Sequence, residues 1–144
     1  MGARIHRTAL ILSTLLLAGG CDEEGGDDDM GSSASFRAVQ DDVFTGKCTQ
    51  ASCHSVEFNA GELILVEGMA YDELFTEVAN QAAKDEGIEQ VVAGDPDASF
   101  LLMKVQGGLD AKYGTVMPQG STEGLPEDDV SLIRRWIEDG AQDN

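Results

Sequence analysis

Apolar and polar positions divide the 144-residue chain into three parts. An apolar run from Ala9 through Ala18 follows Arg4 and Arg7, the form of an export signal over residues 1–20. The run is too short for a membrane-spanning helix, which needs about 20 apolar residues. Residues 21–35 are acidic and rich in Gly and Ser, have no apolar period, and predict a disordered tether. From residue 36 onward apolar residues recur at helical spacing. Phe36, Val39, Val43 and Phe44 share one face that stops at Gly46-Lys47. Tyr71, Leu74, Phe75 and Val78 predict a second amphipathic stretch, running out near the KDEG turn at 84–87. Asp95-Pro96 predicts a third helix start, Asp95 as the capping oxygen and Pro96 in the first turn, with Phe100, Leu101 and Val105 buried and Gly107-Gly108 as the end. A last helix is expected from Pro126 to Gly140. Glu127, Asp128 and Asp129 lie near its positive end, and Val130, Ile133, Trp136 and Ile137 form its stripe.

Residues 36–144 therefore predict one all-α domain of about four short helices. The segments between them are long and poor in strand pattern, 107–125 above all. So few short helices have little to close on by themselves, and a large, flat, apolar cofactor would supply the missing interior.

The chemistry concentrates in CTQASCH, residues 48–54. A histidine directly after the second of two closely spaced cysteines is the arrangement of a c-type haem attachment site: two thiols add across porphyrin vinyl groups, and the adjacent imidazole binds the iron. The usual spacing is C-x2-C-H. Here it is C-x4-C-H, so the extra residues must bulge outward for both sulfurs to reach the ring. Of the two histidines, His6 lies in the leader and His54 is left to the mature chain. Two other readings stand beside this one. Cys48 and Cys53 could form a small-loop disulfide in an exported protein. A zinc site fits less well, because it needs about four N, S or O donors.

LLLAGGC resembles a bacterial lipobox, with Ala18 at the position three before the cysteine where leucine is usual. The resemblance implies that Cys21 is lipidated and becomes the N-terminus. The domain would then be held on the periplasmic side of a bacterial membrane by acyl chains. The alternative is ordinary cleavage near Ala18-Gly19-Gly20, which leaves Cys21 a stray thiol. The formal net charge is −18, and with Arg4 and Arg7 removed seven basic residues face 27 acidic ones, giving −20. That balance argues against nucleic acid and fits basic or cationic partners, or simple solubility.

Taken in order, VFTGKCTQASCH, AYDELF, VVAGDPDASFLLMKV, VMPQG and LPEDDVSLIRRWIEDGA resemble a class I c-type cytochrome domain, in particular its C-x4-C-H branch in exported bacterial lipoproteins. The resemblance spans 36–144 and implies a cytochrome c fold around one haem c. It makes Cys48 and Cys53 the thioether attachments, His54 the proximal iron ligand and Met117 the distal one. Pro118 disfavours helix at Met117, whereas Met103 falls within a helical stripe, Met69 just before one and Met30 in the tether. Phe44 and Trp136 match an aromatic pair where the family's first and last helices cross. Two departures are Gln40, where many members have glycine, and the lack of any proline between His54 and Pro96 to accept the histidine's other N–H. The implied function is single-electron transfer between redox partner proteins, not enzymatic turnover: there is no spare histidine and no second haem motif. Two rivals are a haem-based sensor with an open distal site and a cofactor-free lipoprotein with a Cys48–Cys53 disulfide.

Overall fold

The structure, a computed structural model, describes residues 34–50 and 52–144. The leader, Cys21, Met30 and most of the tether lie outside the described residues. Among those described there is no β-strand, and no helix is long and apolar enough to cross a membrane.

α1 (Phe36–Ala38) runs without a break into a π-helical stretch, Val39–Cys48. Ser35 caps the start, its Oγ accepting the Ala38 N–H at 3.1 Å. At the other end the Thr49 N–H reaches back five residues to the Phe44 carbonyl at 3.1 Å. This wider winding keeps buried Val39, Val43 and Phe44 on the same side as Cys48, four or five residues apart, and carries the helix to the first cysteine.

The predicted second helix is two. α2 (Ala70–Glu73) ends as the Thr76 hydroxyl donates to the Glu73 carbonyl at 2.8 Å, and α3 (Gln81–Asp85) starts where the Asn80 side chain accepts the Ala83 N–H at 2.9 Å. These local side-chain bonds compete with helix continuation. Leu74 and Val78 are buried as the stripe requires, but Phe75 is 45% exposed and stacks on Tyr71 with ring centroids 5.1 Å apart.

The third helix starts later than the Asp95-Pro96 signal. Asp95 does cap a turn, its Oδ1 accepting the Ala98 N–H at 3.1 Å, but α4 spans Phe100–Val105. Its first amides bond outside the helix: Phe100 N–H donates to the Glu89 carbonyl and Leu101 N–H to the Gln90 carbonyl, both at 3.0 Å. Ser99, fully buried, accepts the Val92 N–H at 2.9 Å and donates to the Asp95 carbonyl at 2.8 Å. The chain on either side of the turn is thereby sewn together before the helix begins.

α5 (Glu127–Glu138) matches its predicted extent, with Ile133, Trp136 and Ile137 fully buried and Val130 partly so. Trp136 Nε1–H donates to the Gln142 carbonyl at 2.8 Å, and Asp139 and Asn144 side chains accept the Ala34 and Phe36 N–H groups at 3.0 and 2.9 Å. α5 packs against the π-helical stretch, and Phe36 bridges the expected aromatic pair: its ring centroid lies 6.3 Å from Phe44 and 5.2 Å from Trp136. Gln40 is buried where the resemblance expects glycine. Its amide donates to the Leu65 carbonyl at 3.1 Å and the Thr45 hydroxyl at 3.2 Å, leaving Oε1 without a partner among the described residues.

The long 107–125 segment returns to α4 through the Leu125 N–H, which donates to the Val105 carbonyl at 2.8 Å. Gly124 precedes it at φ +88°, and a Cβ there would stand 2.0 Å from the Val105 oxygen, so this close approach admits no side chain. The main core joins the two long helical segments to Leu65, Leu74, Leu102 and Leu125. A smaller cluster of Val78, Ala83 and Phe100, with Tyr113 against it, lies apart.

Candidate functional site

A cavity of about 380 Å3 draws its walls from both clusters. Phe44, Leu65, Leu101, Val105 and Ile133 contribute from the main core, and Phe100 and Tyr113 from the smaller one. Its rim and walls also carry Cys48, Cys53, His54 and Met117. The four residues singled out in the sequence therefore meet at one apolar hollow, although Met117 comes from a distant loop.

The motif closes on itself through backbone bonds. His54 N–H donates to the Cys48 carbonyl at 3.0 Å and Cys53 N–H to the Gln50 carbonyl at 2.8 Å, with Gln50 and Ser52 exposed, as the outward bulge requires. Both cysteines are free thiols in this structure and half-buried at the cavity. The Cys48 thiol is pushed up to about 11, by burial first and by Cys53 beside it second, so it is neutral at pH 7. Among the described residues no three His, Cys, Asp or Glu side chains come together as possible metal donors.

His54 Nδ1 lies 3.0 Å from the Leu63 carbonyl oxygen. A carbonyl only accepts, so Nδ1 is the donor of this contact, and in the neutral ring Nε2 then has the lone pair that can bind a metal. Leu63 thus supplies the acceptor for which the sequence offered no proline. It is held there because Leu65 N–H donates to the His54 carbonyl at 2.8 Å and Ala60 N–H to the Cys53 carbonyl at 3.1 Å, wrapping 60–65 around the histidine. A backbone carbonyl leaves no side-chain signal, which is why the sequence could not name it.

Lys47, just before the first cysteine, pairs at 2.5 Å with Asp129, a mostly buried carboxylate in the first turn of α5. The pair ties the motif to the last helix. Met117 sits in a bend, with its N–H donated to the Lys104 carbonyl at 2.7 Å. Of the other described methionines, Met103 packs against the smaller cluster and Met69 is 39% exposed, and neither lines the cavity.

No family model matches the chain, and no curated protein or solved structure matches it.

Proposed function

We propose that the domain is a monohaem c-type cytochrome with a cytochrome c fold, an electron-transfer protein and not an enzyme. The observation that carries this reading is the convergence of Cys48, Cys53, His54 and Met117 on one apolar cavity, with Nδ1 of His54 already committed to a carbonyl. The fit is chemical and volumetric. Two free thiols on one loop suit two thioethers, an imidazole and a methionine sulfur suit iron, and about 380 Å3 lies within the roughly 300–1,000 Å3 of small-molecule sites.

Haem c, when held by Cys48 and Cys53, supplies one-electron chemistry between Fe(III) and Fe(II). The chain's own residues set the terms of that chemistry. The Leu63 carbonyl orients the His54 ring. Leu101, Val105, Leu125 and Ile133 exclude water and keep the local dielectric low, and a Met117 sulfur favours the ferrous state. A visible spectrum of the reduced, purified protein tests the reading, with sharp c-type bands expected and a featureless spectrum opposing it.

Anchoring by a lipid on Cys21, on the periplasmic side of a bacterial membrane, follows from LLLAGGC and the acidic stretch after it. Cys21→Ser should move the protein from the membrane to the soluble fraction; a wild type that is already soluble with an unmodified Cys21 would oppose it.

The proposed partner is a basic redox protein. The large hydrophobics Val56, Phe58, Met69 and Phe75 are exposed, and all fall within 55–77, which carries six carboxylates and no basic residue. Charge beyond about 8 Å is screened at physiological salt, so the electron-transfer rate with such a partner should fall steeply as ionic strength rises. A flat salt profile would leave the charge to solubility alone.

A further inference from the structure

Lys104 is unlike the other described lysines. Lys47, Lys84 and Lys112 pair with Asp129, Glu77 and Glu86 at 2.5, 3.2 and 2.6 Å, as a strongly acidic chain would lead one to expect. Lys104 forms no ion pair among the described residues. Its Nζ donates to two backbone carbonyls, Tyr113 at 3.2 Å and Thr115 at 2.5 Å, and lies 5.8 Å from the centroid of the Phe100 ring. Partial burial holds its pKa below the ordinary lysine value. A partly desolvated ammonium with no counter-charge needs dipoles aimed at it, and here the turn through Gly114 supplies them.

The two carbonyls flank Gly114, which turns at φ +88°, and a Cβ on that glycine would stand 3.8 Å from Nζ. The ammonium therefore sits in the mouth of the turn. Two residues later the same lysine acts through its backbone, its carbonyl accepting the Met117 N–H at 2.7 Å. One residue of α4 thus grips the loop at 113, 115 and 117. α4 is itself fixed by the Phe100 and Leu101 amides on the 89–90 segment, so the loop inherits its position from a rigid element. A second tie, Tyr113 Oη–H to Glu86 Oε2 at 2.5 Å with Lys112 on the same carboxylate, is solvent-exposed and correspondingly weak.

We propose that Lys104 is the positioning residue for the distal ligand: its ammonium clasps the 113–115 turn so that Met117 is kept at the cavity wall. The proposal rests on the reading of Met117 as an iron ligand. Lys104 is half-buried and itself lines the cavity, so Lys104→Leu removes the donors without adding a sulfur that could bind iron, and Lys104→Arg restores a cation with several donors.

The test compares the haem-loaded wild type with both variants in two readouts: amide hydrogen exchange at Met117, with Ile133 and Trp136 of α5 as internal controls, and carbon monoxide binding to the ferrous protein. Lys104→Leu should speed Met117 exchange by at least about tenfold with α5 unchanged, and should speed carbon monoxide binding by a similar factor; Lys104→Arg should recover most of both. Wild-type values of both readouts in Lys104→Leu would overturn the clasp, as would equal acceleration at Met117 and α5, the mark of general destabilisation. Should Lys104→Leu fail to fold, Lys104→Ala, which removes the donors without adding apolar bulk, is read by the same two criteria. A colourless wild type would overturn the haem reading by itself, and exchange at Met117 would still decide whether Lys104 holds the loop.

Discussion

Protein produced with a c-type maturation system will retain haem peroxidase staining after denaturation and electrophoresis, and Cys48→Ala/Cys53→Ala will lose it completely. Denaturation separates covalent from axial attachment: iron–imidazole and iron–thioether bonds are lost when the chain unfolds, whereas a carbon–sulfur bond survives. Each single variant should keep staining through the remaining thioether, at lower yield, because one attachment no longer fixes the ring against His54. The effect is all-or-none for the double variant because both free thiols of the described chain are at the cavity. His54→Ala should behave differently, removing the proximal ligand while leaving both sulfurs. If the double variant stains like the wild type, or the wild type is colourless, the cavity holds something else.

What the sequence made legible follows from how local each signal is. The stripes at 36–44 and 130–137 lie within one continuous helical stretch each, so their burial could be read from spacing alone. The break between α2 and α3 was also locally encoded, by Thr76 and Asn80, but the apolar positions Leu74 and Val78 continue across it and hide it. The start of α4 was not local. Asp95 and Pro96 carry a sound helix-start signature, yet the first amides of α4 bond to Glu89 and Gln90, and Ser99 bonds to Val92, partners that nothing in the sequence identifies. The site divides in the same way. Cys48, Cys53 and His54 are contiguous and could be read as a unit. The arrival of Met117 depends on Leu125 docking to Val105 and on Lys104 gripping the loop, and the Leu63 carbonyl that orients His54 is invisible to any side-chain pattern. Phe36, read only as part of a stripe, is the ring that joins Phe44 to Trp136.

Met117→Ala should convert the proposed electron carrier into a ligand-binding haem protein. A sixth ligand present in both oxidation states keeps iron low-spin and limits rearrangement during transfer, whereas an open position admits carbon monoxide or cyanide. Met117 is the described methionine on the cavity wall, and its backbone N–H is held by the 2.7 Å bond to the Lys104 carbonyl. The variant should lose the weak long-wavelength iron–sulfur band of the ferric form, show a lower reduction potential because the thioether no longer favours the ferrous state, and bind carbon monoxide when reduced. Met103→Ala is the matched control. Its side chain is half-buried against Phe100 and Tyr113 away from the cavity, so it should cost about 1–2 kcal/mol of stability and alter none of the three spectroscopic readouts. A wild-type ferrous protein that binds carbon monoxide readily, unchanged by Met117→Ala, would remove Met117 from the iron and favour a sensor with an open distal site.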